Sequence, residues 1–517
     1  MTLDRIVRRN ALRYPDKAAL VLDASSCTWR ELDGRVDRVA NALHARGLAR
    51  GERVAVLLGN CAEFVELYFG LARAGVIAVP VNYRLTPGEL AQLLRHATPS
   101  LFVVGAAFAD KASDVAGLLP ELTTRRWIVG DAALPGAEAY ADVVAGASPA
   151  AVAESGDEED IFAIFYTSGT TGLPKGAMVS HRNLVANAFN QFVADGSRHD
   201  DVNLVATPLY HMGAVFMAVT YMMLGCTQVI LPSFDPARWL DAVGRRRASV
   251  ALLVPTMINA ILENPLLADA DLSSLRRVFY GGGPMPPTVL RRALEQLRCG
   301  FTQGYGLTET LEATFLVAAD HVVDGDEKQR KRLASAGREA VDAEVRIVDG
   351  HGRDCATGEV GEVLVRSASV IRGYWNVAEE TGKAIRDGWF HTGDLGYLDE
   401  DRYLFVVDRV KDMVISGGVN IYSKEVESVL YEHPAVLEAA VIGLPDEAWG
   451  EAVSAAVVLR PGMSASADEL IAHCKASLAG YKKPRHVAFL DELPKNPSGK
   501  ILKRELRRLL AVPGEVA

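Results

Sequence analysis

Residues 166–176 read YTSGTTGLPKG, and the interpretation of the whole chain starts from this segment. It combines small hydroxyl-bearing residues and glycines with a single cation, Lys175. Glycine lets the backbone come close to a ligand, and hydroxyl and N–H groups donate hydrogen bonds to phosphate oxygens. The segment therefore predicts a loop that binds a nucleotide triphosphate. It is not a P-loop, because that motif has glycine directly before its lysine, where this chain has Pro174. A flexible surface loop is the alternative.

The sequence on both sides of this loop alternates between predicted strands and helices. Residues 161–165 are predicted to form a buried strand, and apolar residues, Phe189 among them, recur at helical spacing over 184–192. Nearer the N-terminus, a predicted helix over 63–74 leads into a predicted strand over 76–81. Such alternation is typical of α/β proteins with parallel sheets. We therefore expect an α/β fold whose large N-terminal domain has several subdomains and mostly parallel sheets.

Polar clusters follow several later apolar strands. TPLYH follows the strand predicted over 202–206, GGGP follows 277–280, and GYGLTET follows 301–303. Ligands of open α/β sheets bind beyond the carboxyl ends of the strands. These clusters are therefore expected to line one ligand-binding crevice.

The length of the chain predicts more than one domain. At 517 residues it exceeds what a single hydrophobic core usually supports. Beyond Arg409 the pattern changes to short helices and strands, which indicates a small α+β lid domain. We predict an N-terminal domain over 1–409 and a C-terminal domain over 410–517, with the small, acidic residues 146–160 as a linker between subdomains.

Composition favours a soluble, cytoplasmic enzyme. The formal net charge of -10 provides no basic field for nucleic acid. The six cysteines have no C-x-x-C spacing, so neither a disulfide framework nor a thiolate zinc site is indicated. Gly225 and Pro232 interrupt the uncharged stretch 212–234, which favours a buried helix followed by a strand over a membrane span. Peripheral membrane contact and a homodimer stay open.

Six segments together resemble the motifs of the adenylate-forming superfamily, which includes acyl-CoA synthetases, peptide-synthetase adenylation domains and luciferases. In chain order they are YTSGTTGLPKG at 166–176, YGGGP at 280–284, GYGLTET at 304–310, WFHTGD at 389–394, DRVKDMVISGGVNIY at 408–422 and PKNPSGK at 494–500. The resemblance covers nearly the whole chain. It implies an enzyme that uses ATP and Mg²⁺ to convert a carboxylic acid into an acyl adenylate, with CoA as the second substrate.

The resemblance also implies a nucleotide site. Glu309 is implied to bind Mg²⁺, a hard cation that takes oxygen ligands, with Thr308 on the phosphates and Tyr305 stacked on adenine. Asp394 is implied to accept hydrogen bonds from the ribose hydroxyls, and Arg409 to contact the same ribose or the α-phosphate. The other implied nucleotide-binding residues are Thr167, Ser168, Gly169, Thr170, Thr171, Lys175, Gly281, Gly282, Gly283 and Gly306.

The residues taken singly leave simpler interpretations open. Glu309 alone is compatible with a surface glutamate, and the glycines at 281–283 with a turn. Asp394 is compatible with an Asx turn. A salt bridge to Asp408 or Asp412 is the alternative for Arg409.

The resemblance implies that Lys500 is the catalytic cation of adenylation. A carboxylate that attacks the α-phosphate meets a second anion, and at about 4 Å their repulsion is roughly 4 kcal/mol at an effective dielectric near 20. A lysine between them offsets this repulsion, although a solvated basic tail is the alternative. For the thioester step the resemblance implies that the C-terminal domain rotates about Lys411 and brings Gly417 and Gly418 to the CoA tunnel. Many relatives have Glu where Val419 stands, which weakens any role for that side chain.

The TPLYH segment is expected to lie beside the pocket that binds the carboxylic acid. The resemblance implies that His211 guards this pocket, and a histidine satisfied in the core is the alternative. Its walls are expected to include Met212, Val215, Phe216 and Met217, which are equally compatible with plain core.

The sequence therefore predicts an AMP-forming acyl-CoA synthetase for a hydrophobic carboxylic acid, with a medium- or long-chain fatty acid favoured. An aryl-acid CoA ligase and a free-standing adenylation enzyme that loads a carrier protein are the alternatives. Luciferase-like oxidation and a non-catalytic nucleotide-binding protein come after these.

Overall fold

The structure is a computed structural model, and it describes residues 1–120, 125–153, 156–167, 174–283, 285–447, 449–495 and 501–511. The chain forms two compact units. The first unit comprises Met1–Pro284, Val289–Val345 and Val365–Phe390, and the second unit comprises Met285–Thr288, Arg346–Leu364 and His391–Ala517. The second unit thus contains residues from both sides of position 409, and the domain boundary predicted there stays a prediction.

The N-terminal part of the first unit is built on a seven-stranded sheet. In chain order its elements are α1 (Asp4–Arg13), β1 (Ala18–Leu22), β2 (Ser25–Thr28), α2 (Trp29–Ala45), β3 (Arg53–Leu57), α3 (Ala62–Ala74), β4 (Ile77–Pro80), α4 (Pro87–Ala97), β5 (Leu101–Gly105), α5 (Ala109–Leu118), β6 (Arg126–Val129), β7 (Ala137–Ala139), α6 (Tyr140–Gly146), β8 (Ile161–Thr167), β9 (Lys175–Ser180) and α7 (His181–Asp195). The sheet order is β7-β6-β5-β3-β4-β8-β9. Its pairs are parallel except for β8 with β9.

A nine-stranded sheet follows. It is formed by β1 and β2 together with later strands, in the order β16-β15-β14-β13-β12-β10-β11-β1-β2. The later elements are β10 (Val202–Val205), α8 (Met212–Met223), β11 (Thr227–Ile230), α9 (Pro236–Arg246), β12 (Val250–Leu253), α10 (Pro255–Leu262), β13 (Arg277–Tyr280), α11 (Pro287–Leu297), β14 (Gly300–Leu307), β15 (Leu311–Leu316), α12 (Glu327–Arg332) and β16 (Arg338–Glu339). The central strands are parallel, and the antiparallel pairs lie at the two edges.

The remaining elements include a small sheet with accompanying helices in the second unit. They are β17 (Glu344–Val348), β18 (Gly361–Arg366), α13 (Ala378–Ala384), β19 (Ile385–Arg386), β20 (Trp389–Leu398), β21 (Leu404–Arg409), β22 (Val414–Ser416), β23 (Val419–Ile421), α14 (Ser423–Glu432), β24 (Val436–Asp446), β25 (Gly450–Leu459), α15 (Ala467–Ser477), β26 (His486–Phe489) and α16 (Lys503–Leu510). Strands β23-β22-β25-β24 form a sheet on which β26 pairs with β25. Val426, Val441 and Leu470 lie in the core beside this sheet.

The predicted fold class is confirmed. The first unit has large, mostly parallel sheets covered by helices, and the second unit contains a small α+β sheet. The uncharged stretch 212–234 forms the buried helix α8 and the strand β11, as expected. Among the described residues, no helix has the length and apolar composition that a membrane crossing needs.

Three local expectations were wrong. The segment predicted only a helix after the loop, but its last residues, Lys175 and Gly176, begin a strand, β9, that precedes α7. The side chain of Phe189 on α7 is exposed, because amide side chains occupy part of the buried face of that helix. The GYGLTET segment does not simply follow a strand. It continues β14 and then turns into β15.

Candidate functional site

The turn between β14 and β15 carries the predicted magnesium ligand. Thr308 and Glu309 lie in this turn, and the Thr310 hydroxyl accepts a hydrogen bond from the N–H of Leu307 at 2.9 Å. A Cβ at Gly306 would lie 1.5 Å from the carbonyl oxygen of Leu311. Glycine is therefore required at 306, because the two strands come too close there for any side chain.

Two hydroxyls hold the carboxylate of Glu309. The Thr167 hydroxyl donates to Oε1 of Glu309 at 3.1 Å, and the Tyr374 hydroxyl donates to the same oxygen at 3.0 Å. Burial, and then the nearby Glu309 charge, raise the pKa of Tyr374, so its hydroxyl keeps its proton and stays a donor. The structure thus brings Thr167, at the start of the glycine-rich segment, into contact with Glu309.

Lys175 is part of the same group of contacts. Its ammonium forms an ion pair with Glu380 on α13 and lies 5.3 Å from the centre of the Tyr374 ring. The bonds from Lys175, and then from Lys383, lower the pKa of Glu380 to about 2. Tyr374 therefore touches both the cation and the carboxylate that the sequence assigned to the nucleotide site.

Sequence reasoning missed Tyr374 and Glu380. Neither lies in one of the six motifs, and Glu380 is separated from Lys175 by 205 positions. A tyrosine and a glutamate in a polar segment have no local pattern that pairs them with distant residues. Only the packing of the chain reveals these contacts.

The glycines after β13 lie at the carboxyl end of that strand. A Cβ at Gly281 would lie 2.7 Å from the carbonyl oxygen of Gly304, so this position needs glycine for close approach to β14. Gly282 has a φ of 77° and is exposed, as is Gly283. Tyr305 is partly buried on β14. The predicted residues of YGGGP and GYGLTET are therefore neighbours at one edge of the nine-stranded sheet.

Five of the predicted residues cannot be placed, and a sixth, Thr167, lies at the edge of the described segment. Ser168, Gly169, Thr170 and Thr171 lie outside the described residues, and so does Lys500. Thr308 is described and partly buried, and Thr167 marks the last described position before the glycine-rich segment.

In the second unit, Asp394 and Arg409 face each other. They are directly opposite in the antiparallel pair β20–β21, and Nε of Arg409 lies 2.9 Å from Oδ1 of Asp394. Asp394 is buried, with an exposed fraction of 3 %, and it lies within a strand. The Asp408 carboxylate accepts hydrogen bonds from Ser423 and from the backbone N–H of Arg409, and not from the Arg409 guanidinium. The ion pair of Arg409 therefore joins two predicted nucleotide residues, in place of the Asp408 or Asp412 bridge considered as the alternative.

The SGG segment forms the tight turn between β22 and β23. Gly417 and Gly418 both have positive φ, 58° and 76°. The N–H of Gly417 donates to the carbonyl oxygen of Trp449 at 2.8 Å, and a Cβ at Gly417 would lie 2.7 Å from the Trp449 ring. The guanidinium of Arg485 lies 4.5 Å from the centre of that ring. Lys411 is exposed just after β21.

His211 precedes α8, whose Met212, Val215, Phe216 and Met217 are all buried. Burial, and then Arg84, lower the pKa of His211 to about 4. The ring is therefore neutral at physiological pH. Its Nε2 atom has no hydrogen-bond partner within the described part of the chain, so the alternative of a histidine satisfied in the core does not hold for that atom.

Comparison with known proteins agrees with this geometry. The family model described as AMP-binding enzyme matches residues 7–375, and the model of the AMP-binding enzyme C-terminal domain matches residues 425–500. The chain belongs to the AMP-binding enzyme family. It is accordingly an enzyme of the acid–thiol ligase class.

Individual relatives match along almost the full chain. A feruloyl-CoA synthase from Amycolatopsis sp is 39% identical, with 97% of each chain covered. The fatty acid–[acyl-carrier-protein] ligase ScoC from Streptomyces coeruleorubidus is 35% identical, with 98% of this chain and 96% of the relative covered. The crystal structure of ATP-bound MatB from Rhodopseudomonas palustris is 33% identical, with 99% of each chain covered and a TM-score of 0.88.

Proposed function

We propose that this protein uses ATP to activate a hydrophobic carboxylic acid and then transfers the acyl group to CoA. The observation that carries the proposal is the contact group of Thr167, Lys175, Glu309 and Tyr374, in which one tyrosine joins a carboxylate and a cation. A carboxylate for a metal ion and a cation for phosphate are what a nucleotide triphosphate needs. The family membership supports the same chemistry.

The proposed reaction has two steps. In the first, an oxygen of the acid attacks the α-phosphorus of ATP, the new P–O bond forms, and pyrophosphate leaves with the electron pair of the broken bond. In the second, the CoA sulfur attacks the acyl carbon, the thiol proton goes to solvent, and AMP leaves with the electron pair of the acyl C–O bond. The mixed anhydride gives the carbonyl a good leaving group that the free carboxylate lacks.

The residues at Glu309 fit a magnesium ion of the kind that is held mainly by phosphates. No cluster of three or more His, Cys, Asp or Glu side chains suited to a metal occurs among the described residues. Mg²⁺ commonly binds through one or two carboxylates together with substrate phosphates, and keeps several waters. Glu309 supplies one such carboxylate, which Thr167 and Tyr374 orient. When bound, the ion would neutralise phosphate charge.

Lys175 is proposed to bind the departing phosphates. It lies at the end of the glycine-rich segment, and its present partner is the carboxylate of Glu380. A triphosphate would compete with Glu380 for the ammonium. We propose that Ser168, Gly169, Thr170 and Thr171 contribute the remaining phosphate contacts, and that Gly281, Gly282, Gly283, Tyr305 and Gly306 border the base.

The proposal assigns the second unit a part in both steps. Asp394 and Arg409 are proposed to bind the ribose and the α-phosphate side, and Lys500 to stabilise the charge that develops during adenylation. Lys411 is proposed as the hinge of a mobile domain over 410–517. Gly417 and Gly418 are proposed to take part in CoA binding.

The acid is proposed to be hydrophobic. The two relatives named above act, by their names, on feruloyl and fatty-acid substrates, and one of them transfers to a carrier protein instead of CoA. Support for a hydrophobic acid comes from the buried, apolar residues of α8 next to His211. The preference for a fatty acid stays a hypothesis beside that for an aryl acid.

The test is pyrophosphate release over a panel of short, medium and long fatty acids, aryl acids and amino acids, with and without CoA. We expect a stoichiometric burst without CoA and sustained turnover with it, and an acyl-CoA product detected by mass spectrometry. Pyrophosphate release that CoA leaves unchanged, but a carrier protein accelerates, would favour the adenylation enzyme. Absence of release with every acid would refute the proposal.

A further inference from the structure

Helix α7 buries polar side chains on the face that the apolar pattern did not predict. Asn187 and Gln191 are fully buried, with an exposed fraction of 0 % each. They lie one helical turn apart, so they are on the same face of α7. Glu312, on the adjacent strand β15, is also buried, with an exposed fraction of 8 %.

Each of these three side chains has a polar atom without a partner. Nδ2 of Asn187, Oε1 of Gln191 and Oε2 of Glu312 make no hydrogen bond to any residue that the structure describes. Buried polar atoms normally have partners, since a lost hydrogen bond to water is otherwise not replaced. Three such atoms on neighbouring elements are therefore available to a group that could bind there.

The other atoms of the two amides are engaged, which holds the side chains in place. Oδ1 of Asn187 accepts a hydrogen bond from the N–H of Glu312 at 2.9 Å. Nε2 of Gln191 lies 2.9 Å from the sulfur of Met217 on α8. The amide atoms without partners are consequently held in fixed positions.

The Glu312 carboxyl lies among apolar groups. A Cβ at Gly304 would lie 2.3 Å from Oε2 of Glu312 and 2.5 Å from the Phe279 ring, so the carboxyl and the ring both pack on the face of Gly304. Burial raises the pKa of Glu312 to about 8. At neutral pH the carboxyl is mostly protonated, and it can both donate and accept a hydrogen bond.

These polar atoms adjoin the residues expected to line the acid pocket. Met217 bonds to Gln191, and Phe216, its neighbour on α8, packs against Phe279 with ring centres 5.8 Å apart. Glu312 is also in the same hairpin as Glu309, three residues further along. In this hairpin, Glu309 contacts the residues of the candidate nucleotide site, whereas Glu312 lies on the side of α8.

We propose that Asn187, Gln191 and Glu312 form the polar end of the acid pocket and bind a hydroxyl group at the end of the acid remote from its carboxylate. The inference rests on the proposed function, whose acid it narrows. A saturated acid without such a group would leave all three atoms unpaired. A hydroxylated acid would donate to Gln191 or Glu312 and accept from Asn187.

The test compares pairs of acids that differ by one hydroxyl. The probes are 4-hydroxycinnamic and cinnamic acids, and 10-hydroxydecanoic and decanoic acids, with kcat/KM measured by pyrophosphate release in the presence of CoA. In the better pair we expect the wild-type enzyme to favour the hydroxylated acid by about 10²-fold, because a site that hydrogen-bonds a hydroxyl discriminates against the analogue without it. Glu312→Leu and Asn187→Leu are expected to reduce this ratio about tenfold or more, through loss with the hydroxylated acid alone.

Asn190→Leu is the matched control. Asn190 is the same residue type on the same helix and is also buried, but its amide bonds to Asp342 through both polar atoms, at 2.5 and 3.2 Å. The control should keep the wild-type ratio, although it should lower the melting temperature. Melting curves of all variants verify folding, and Gln191→Leu replaces any pocket variant that fails to fold.

Two results would overturn the inference. One is a wild-type enzyme that uses both members of both pairs equally well, or prefers the acids without a hydroxyl. The other is an unchanged ratio in a folded Glu312→Leu variant. Failure of the proposed function would look different, since no acid in either pair would then release pyrophosphate.

Discussion

The ammonium of Lys175 forms an ion pair with the carboxylate of Glu380, and the Tyr374 ring lies 5.3 Å from the same ammonium. The bond to Lys175 is the main reason why the pKa of Glu380 is lowered to about 2. The carboxylate therefore stays ionised at any physiological pH. If Lys175 binds phosphate as proposed, the phosphate and the Glu380 carboxylate would compete for the same ammonium.

Glu380→Gln should strengthen ATP binding. Removal of the charge frees Lys175 for phosphate, and since ion pairs near the surface are weak, the KM for ATP should fall by about threefold to tenfold. The measurement is pyrophosphate release as a function of ATP concentration. Glu379→Gln is the control, because Glu379 is exposed and pairs with Lys383 at 2.8 Å. An unchanged KM would show that phosphate does not compete for Lys175.

Tyr374→Phe should raise the Mg²⁺ concentration that the enzyme needs. The substitution removes one of the two hydroxyls that orient Glu309, so the Mg²⁺ concentration at half-maximal rate should rise about threefold to tenfold. Tyr140→Phe is the control, because its hydroxyl donates to Glu66 at the same distance of 3.0 Å, between α6 and α3. If both variants show the same Mg²⁺ dependence as the wild type, the Tyr374 hydroxyl does not orient a magnesium ligand.

Lys500→Ala should separate the two half-reactions. Loss of one preorganised cation should slow adenylation by about 10²-fold or more, while thioester formation from supplied acyl adenylate stays largely intact. Single-turnover assays of each step make the comparison. Lys495→Ala is the control, because Lys495 belongs to the same PKNPSGK segment but pairs with Glu438 at 2.5 Å. This variant should carry out both steps at near wild-type rates. Equal losses in the two steps of Lys500→Ala would contradict the assignment.

Gly417→Ala should slow the thioester step and leave adenylation largely unchanged, the reverse of the effect expected for Lys500→Ala. A Cβ there would lie 2.7 Å from the Trp449 ring, so the turn must shift, and the thioester step should slow about tenfold with adenylation little changed. Gly462→Ala is the control, since its φ of 77° is also positive and a Cβ there would meet nothing within 4 Å. A slower adenylation step in Gly417→Ala, with normal thioester formation, would argue against a role of this turn in CoA binding.

Glu312 should make the enzyme less stable as the pH rises. Its pKa is about 8 in the folded chain against 4.5 as the ordinary value, so the folded state holds a proton that the unfolded state releases. The stabilisation is fully present below about pH 4.5 and is lost as the pH rises to about 8, by at most about 5 kcal/mol. Urea unfolding from pH 5 to 9 should show this slope, and Glu312→Gln should flatten it. An identical slope in the variant would mean that Glu312 ionises normally.

Much of the fold followed from local pattern. Alternating apolar strands and helices predicted the parallel sheets, and the interrupted stretch 212–234 correctly predicted α8 and β11. Such patterns report which residues are buried along a single element. They could not report that β9 would pair antiparallel with β8, because the apolar pattern of one strand does not say which strand it pairs with.

The residues of the candidate site were likewise predicted in part from the sequence. The motifs singled out Lys175, Glu309, Asp394 and Arg409, and the structure brings the first two into one group of contacts and pairs the last two. Helical spacing predicted a buried Phe189, yet this ring is exposed. The buried face of α7 instead includes the amide side chains of Asn187 and Gln191, which have hydrogen-bond partners on neighbouring elements. Apolar spacing alone does not predict such buried amides.

The sequence by itself determined the class of chemistry, since small residues around one cation and six ordered motifs define which groups are available to a nucleotide and an acid. Only the tertiary structure decided which groups face each other. Glu380 is separated from Lys175 by 205 positions, and Glu312 from Asn187 by 125, and no local preference of the backbone extends that far. Contacts over such distances arise from the packing of sheets and helices. In this protein they define both the partner of Lys175, the cation proposed to bind phosphate, and the polar end proposed for the acid pocket.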